Sequence, residues 1–515
     1  MAYDSVLPEP NLPEQNIQLI LLLAGWYNRA LLAHTPWAEQ AVKCTEYVEG
    51  NQISETDKLI MEEQGRPMLV INKIAPLVRL VLGYHRNNRT DEKVLPGHDG
   101  SGVEQTAQAI TQLFKQIAES SQQPYVDAEV FLDGITTGRA YYDTRLDFEQ
   151  NDFGECKVAS GDPFATLLDP DGNQYDLNKS NYLIGQSWQS LEQIGSNFGA
   201  EAVELAGSWL TGGGYSGMPQ SFLSGDQDIT PWRSFGGETD LDAGYSQMLE
   251  YSANVVDPVK RSIRTVDFQY YQPVRRGFFV DLETGYKHPI PDHWDNEKVQ
   301  KAKAFWDFQF QSRGKISPLE IDYRPAKKLR WTVLVGDIMV FDKWSIYETF
   351  TKTAYFPWFR RGKTRGMVDD LIDPQNEVNK RRSAFVDILT RTANGGWMIN
   401  EDGMDDEEIE KLEEFGAAPG YVGRWRGKSH HKPDQIKSAP PPRAMERAEQ
   451  KGSEDLNDIS GINRDALGQM EKVQSGRTIE AKQRQAVIAV QIQLGGQCLH
   501  AAHRRRGRQQ LAIIE

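Results

Sequence analysis

His430 and His431, the alternating oxygen donors Asp169, Asp171 and Asn173, the carboxylates between Glu401 and Glu414, and the triplet Gly212 to Gly214 are residues whose types could do chemistry in this sequence. Zinc needs ligands converging on one point, whereas adjacent loop histidines point apart and no Cys stands beside these two. A calcium loop of the EF-hand kind closes on a bidentate acid at its twelfth residue. Ser180 occupies that place here, so Asp169 to Asp176 reads as an acidic turn. Glycosidase-type acid and base work needs two carboxylates facing each other across a cleft. Glu401, Asp402, Asp405, Asp406, Glu407, Glu408, Glu410, Glu413 and Glu414, opposed only by Lys411, read instead as a solvated acidic stretch. A P-loop ends in Gly-Lys-Ser/Thr after its glycines, and no Lys lies between Gly212 and Asp257. Neither Gly-x-Ser-x-Gly nor His-Glu-x-x-His occurs. The expectation is therefore a protein with no catalytic residues, no metal site and no cofactor.

What remains is binding chemistry. Gly423 to Arg443 carries Arg424, Arg426, Lys428, Lys432, Lys437 and Arg443, and its prolines bar regular helix. It reads as a linker, or as a loop whose cations could touch phosphates. Tyr355, Phe356, Trp358 and Phe359 stand among Arg360, Arg361, Lys363 and Arg365, a composition common in interface cores. The segment Gly366 to Arg391 follows. Asp373-Pro374 is a helix-start signal, because Asp can accept from first-turn amides and Pro lacks the amide that would go unpaired. Val378, Phe385 and Leu389 then fall on one helical face, and Gln375, Asn379 and Ser383 form a polar stripe at spacings of four. Lys380, Arg381 and Arg382 add a basic cluster.

The elements that must position these groups follow from periodicity. Residues 13–63 read as helical, as do Pro67 to Tyr84, Gly102 to Ser120 and Val126 to Gly138, the last two packed through Ile110, Leu113, Phe114, Val130 and Phe131. Arg139 to Leu168 alternates and predicts a small antiparallel sheet. Residues 211–246 read as a loop rich in Gly, Ser and Asp. Val266 to Val274 and Arg276 to Leu282 read as two strands about a turn, Asn296 to Ser312 as a helix, and Leu329 to Val335 as pairing with Ile338 to Trp344 across Gly336-Asp337. Trp306, Phe308, Phe310, Trp331 and Trp344 are expected mostly in the core of that region, with a docking surface as the other reading.

Three blocks occur in a telling order: Arg66-Pro67 with Ile71-Asn72-Lys73-Ile74-Ala75-Pro76 and Arg86-Asn87-Asn88-Arg89; Gly366 to Ser383; and Asp458 to Gly468 with Ser475-Gly-Arg-Thr-Ile479 before a Gln-rich helix from Glu480 to Leu494. Together they resemble tailed-phage portal proteins, particularly the large portals of short-tailed phages. The resemblance implies an α+β portal fold: a mainly helical wing carrying a small antiparallel sheet, stem helices and an α+β clip. It divides the chain into an N-terminal wing (1–264), a clip (265–348), a stem helix region (349–393), a C-terminal wing part (394–494) that includes a tunnel loop at 423–443, and a basic tail (495–515). The text changes character after Leu494, which reads as a truncated or frameshifted end, with crown and barrel missing.

By the same resemblance the protein is a homo-oligomer, a dodecamer in the family, forming a ring at one capsid vertex of the virion after assembly in the host cytoplasm. Double-stranded DNA passes through it, and its partners are the terminase large subunit, a head-to-tail adaptor, the capsid and a scaffolding protein. The resemblance turns the six cations of 423–443 into tunnel-loop contacts, Lys380, Arg381 and Arg382 into stem charges, and Gln375, Asn379 and Ser383 into inter-subunit contacts. Another head–tail connector or a soluble enzyme of unrecognised type are the alternative readings. The net charge of −15 fits a conduit: it argues against gripping phosphates over the whole surface and for letting a duplex slide. Cys44, Cys156 and Cys498 have no pairing pattern, which suits a reducing compartment. No basic leader opens the sequence, and the apolar run Ile17 to Ala24 is too short to span a membrane.

Overall fold

Asn16 accepts a hydrogen bond from the Leu19 amide (3.2 Å) and opens the helix Ile17–Glu49, which stops where Gly50 takes a left-handed φ of 100°. This helix joins two cores. Ile20, Leu23, Tyr27, Leu31, Trp37 and Ala38 pack on strand residues Leu167, Tyr182, Ile184, Val266, Phe268 and Leu334. Cys44 and Tyr47, near its other end, enter a second core with Ile74, Val78, Val130, Ile135, Tyr355, Leu371 and Val378. A computed structural model describes residues 13, 16–87, 93–95, 103–148, 154–210, 256–257, 260–281, 287–291, 294–312, 319–336, 338–393, 397–399, 404–416, 422–426, 434–435 and 443–460. The loop expected at 211–246, the Gln-rich helix expected from Glu480, and the tail 495–515 lie outside the described residues.

Helix and sheet are mixed along the chain, as an α+β protein requires. Residues 13–63 divide at Gly50, and Ser54 caps the second helix, Glu55–Glu63, through its hydroxyl to the Asp57 amide (3.1 Å). The helix expected from Pro67 begins only at Ile74 and runs to Asn87; residues 67–73 form neither helix nor strand. Helices Val103–Ser120 and Gln123–Thr137 form as expected, but their apolar residues serve different cores. Phe114 packs with Ile110, Leu113, Ile117 and Cys156, while Val130 and Phe131 join the core beneath Tyr355.

The small sheet is antiparallel in the order Lys352–Tyr355, Ala140–Asp147, Glu155–Gly161. The large sheet orders Thr166–Leu168, Tyr182–Ser190, Ser262–Asp281, Leu319–Val335 and Ile338–Trp344, with the Gly336 turn at a φ of 64° closing the last hairpin. Ser262–Asp281 is one strand where the sequence suggests two around a turn. Its first half is central: it pairs with Tyr182–Ser190 up to Tyr270 and buries Ile263, Val266 and Phe268. Beyond Tyr271 it runs on beside Leu319–Val335, with Pro273 opposite Lys327 and Arg275 opposite Pro325, and Lys287–Pro289 pairs with Phe278 to Val280. At Pro273 and Pro325 the ribbon has two strands, which leaves edge positions free of ladder bonds where proline is tolerated.

The expected domain boundary at 264/265 therefore falls inside a continuous strand, and the expected insertion is rooted in the body's sheet. The ribbon carries the helix Asn296–Ser312 near its far end. Ile290 and Val299 are buried there, but Trp306, Phe308 and Trp344 are exposed. Of the aromatics assigned to a core, Trp331 is the one packed into two clusters, while Phe310 is half-buried.

Candidate functional site

Gly366 to Arg391 forms the corner around which the functional groups are arranged. A 3-10 turn, Val368–Leu371, leads into the helix Ile372–Ala393, so the helix starts two residues ahead of Pro374. Asp369 fixes this entry. Its carboxylate accepts from the Gly366 amide (2.7 Å), from Gln40 Nε2 (3.0 Å) and from the Cys44 thiol (3.4 Å). Burial and that carboxylate push the thiol's pKa well up, so Cys44 is an inert donor.

The polar stripe faces inward. Gln375 is fully buried and Asn379 is 5% exposed. The Lys73 amide donates to Gln375 Oε1 (3.1 Å), the Ile71 amide to Asn379 Oδ1 (3.0 Å) and the Leu69 amide to Ser383 Oγ (3.1 Å). Gln375 Nε2 returns a bond to the Ile71 carbonyl (2.7 Å), and Asn379 Nδ2 donates to Gln52 Oε1 (2.7 Å). The match is geometric. Four helical residues rise about 6 Å and two extended residues about 6.6 Å, so side chains at spacings of four meet amides at spacings of two. The stripe thus acts as the partner strand that residues 69–73 lack.

Gln375 and Asn379, expected at a neighbouring subunit, spend these polar groups within the chain. Both faces of the helix are covered near its start. The amides are covered, Val378 is buried beside them, Phe385 is half-buried and Leu389 is 40% exposed. Asn72 completes the joint: its Oδ1 accepts from the Ile74 and Ala75 amides (both 3.1 Å), starting the helix Ile74–Asn87, and its Nδ2 donates to the Val48 carbonyl (2.9 Å).

The basic candidates are held by several partners. Lys380 is exposed. Arg381 bonds Glu377 one turn back and lies near Gly452 of the helix Arg443–Ser460, and the Arg382 guanidinium sits 6.0 Å from the Phe385 ring centre. Arg426 reaches Asp405 at 3.2 Å and the Arg424 amide donates to Glu408 (3.3 Å), so both bind the acidic helix Asp406–Phe415 or the residue that precedes it. Lys428, Lys432 and Lys437, with His430 and His431, lie outside the described residues, as does the side chain of Arg443. The Asp169 carboxylate is spent on the Asp171 and Asn181 amides (3.1 and 3.0 Å), and Asp171 pairs with Arg29 (2.8 Å), as an acidic turn should be. Among the described residues no group of three or more His, Cys, Asp or Glu side chains could hold a metal.

Sequence reasoning missed the hairpin that precedes the helix. Trp358–Arg360 pairs with Lys363–Arg365 across Arg361-Gly362, whose φ values of 51° and 80° make the tight turn preferred in hairpins. Its inner side is locked. Phe359 stacks on Phe356 (5.6 Å) and meets Tyr175 edge-on (5.8 Å), while Thr364 accepts from Arg139 Nε (2.9 Å). Arg139 is buried over the Trp37 ring (4.4 Å) near His34, and burial together with its charge lowers the His34 pKa to about 3. A second missed cluster ties the two sheets: Arg145 bonds Asp143 (2.9 Å) and Asp267 (3.2 Å), and buried Lys352 donates to Thr166 (2.7 Å). The alternation of basic residues from Arg360 to Arg365 was the available signal for the hairpin; nothing local in sequence marks the Arg145 network.

A family model described as phage P22-like portal protein matches residues 24–515 of the chain. No curated protein matches it.

Proposed function

Because this chain belongs to the phage P22-like portal protein family, we propose that it is a subunit of a closed ring through which double-stranded DNA enters and leaves a capsid. Portal proteins are structural components of the virion rather than enzymes, and no helix among the described residues is long and apolar enough to cross a membrane. The match over residues 24–515 carries the reading. The ribbon supports it.

We assign the clip to the outer part of that ribbon, about residues 272–326, rather than to the whole of 265–348, since the inner part belongs to the body's sheet. The exposed Phe305, Trp306 and Phe308 give this projection an apolar surface for the terminase large subunit and then the head-to-tail adaptor. The ring is a dodecamer whose heterologous interfaces close on themselves. Residues 423–443 form the tunnel loop, where Arg424, Arg426, Lys428, Lys432, Lys437 and Arg443 meet passing phosphates, and Lys380 of the stem faces outward. The capsid and a scaffolding protein complete the partners. Net negative charge limits adhesion, so the duplex slides while local cations modulate it.

Negative-stain microscopy of the purified full chain tests the reading. Rings with an axial hole are expected. A single monomeric species at high concentration would overturn it.

A further inference from the structure

The hairpin Trp358–Arg365 turns one strongly basic face outward in a chain of net charge −15. Trp358 lies opposite Arg365 and Arg360 opposite Lys363, so the four share one side of the ribbon, and Arg361 stands at its tip. All five are exposed. Among the described residues no carboxylate pairs with Arg360, Arg361 or Lys363. Arg365 is 3.8 Å from Asp370, but both side chains are 64% exposed, which leaves that pair screened and weak. Beneath the face, Phe359 and Thr364 are clamped as described, so the cations project from a fixed base.

We propose that this face binds the phosphate backbone of duplex DNA. Guanidinium groups match phosphate with paired donors, and backbone contacts of this kind position a duplex without reading its sequence. A protein partner would require an apolar centre. Trp358, with the Arg365 guanidinium 5.8 Å from its ring centre, is the one large apolar group the face offers. The choice of duplex DNA among polyanions rests on the portal reading; the cationic face itself does not.

The test is fluorescence anisotropy of a labelled mixed-sequence duplex of about 20 base pairs with the full chain across a salt series. Replacing Arg360, Lys363 and Arg365 together by Ala is expected to weaken binding at low salt by roughly tenfold or more and to flatten the log–log salt slope by about 3, one for each lost phosphate contact. The variant R360K/R365K, which keeps the charge, should bind within a few-fold of the native chain and guards against a folding defect. Unchanged affinity and slope in the triple Ala variant would overturn the proposal. So would displacement of the duplex by a peptide of residues 401–416 at lower concentration than by unlabelled duplex, which would assign the face to an acidic segment of a second copy. Microscopy of the same samples separates the two readings. Monomers that bind through the hairpin fail the portal and keep the site, while rings indifferent to the hairpin do the reverse.

Discussion

The polar stripe of Ile372–Ala393 and the basic face of Trp358–Arg365 lie within a few residues of each other in sequence, and the fold sends them in opposite directions. Gln375 and Asn379 go inside, where their neutral amides meet the backbone of Ile71 and Lys73 and the side chain of Gln52. Arg360, Arg361 and Lys363 stay outside, because burying a charge without a partner costs far more than burying a satisfied amide. Arg139 marks the boundary between the two regimes: a buried guanidinium kept by a hydroxyl and an indole ring, directly beneath the exposed face. The lesson is that side-chain charge, more than polarity, decides which stripe becomes joint and which becomes surface.

The largest break should come at the hinge between the two regions. A Cβ at Gly366 would stand 2.7 Å from the Ile135 carbonyl oxygen and 2.9 Å from that of Thr136, with no flexible side chain to yield. Gly366→Ala is expected to cost roughly 4 kcal/mol, read as a lower midpoint in urea, with hairpin and helix losing protection together. Next is Asn379→Leu, which leaves the Ile71 amide and the Gln52 carbonyl oxygen without this partner. We expect a loss of about 3 kcal/mol. A loss under about 1 kcal/mol would mean that the joint does not depend on the ladder.

A smaller effect tests the layer between the regions. His34 has its pKa lowered from 6.5 to about 3, so the unfolded chain takes up the proton first. Stability from this group is complete above pH 6.5 and declines as pH falls toward 3. Between pH 7 and 5 the native chain should lose about 2 kcal/mol on this account. His34→Gln should flatten that limb of a urea-midpoint profile, and an unchanged slope would refute the assignment. The smallest effect belongs to the exposed face: removing Arg360 and Lys363 should shift stability by no more than about 0.5 kcal/mol, whatever it does to DNA binding.

Much of this architecture can be read from the sequence. Asn296–Ser312 has the expected bounds, the Gly336 hairpin forms as its turn residues indicate, and Gln375, Asn379 and Ser383 do share a face. The partner of that face could not be read, because the amides it satisfies lie about 300 residues away in a segment whose apolar residues suggest helix. Residues 67–73 stay out of helix, with the amides of Leu69, Ile71 and Lys73 bonded to distant side chains, a signal absent from any local window. The turn expected between Val274 and Arg276 does not form, because Ser262–Asp281 runs straight on beside Leu319–Val335. The Arg145 network unites residues from distant strands and leaves no local spacing to detect.

Amide hydrogen exchange at Leu69, Ile71 and Lys73 tests the central claim, that the stripe is an internal joint and that outside partners meet charged faces. The account predicts slow exchange at all three in the isolated subunit, unchanged by assembly. Fast exchange in the subunit that becomes slow only in the ring would contradict it and return Gln375, Asn379 and Ser383 to a contact between subunits.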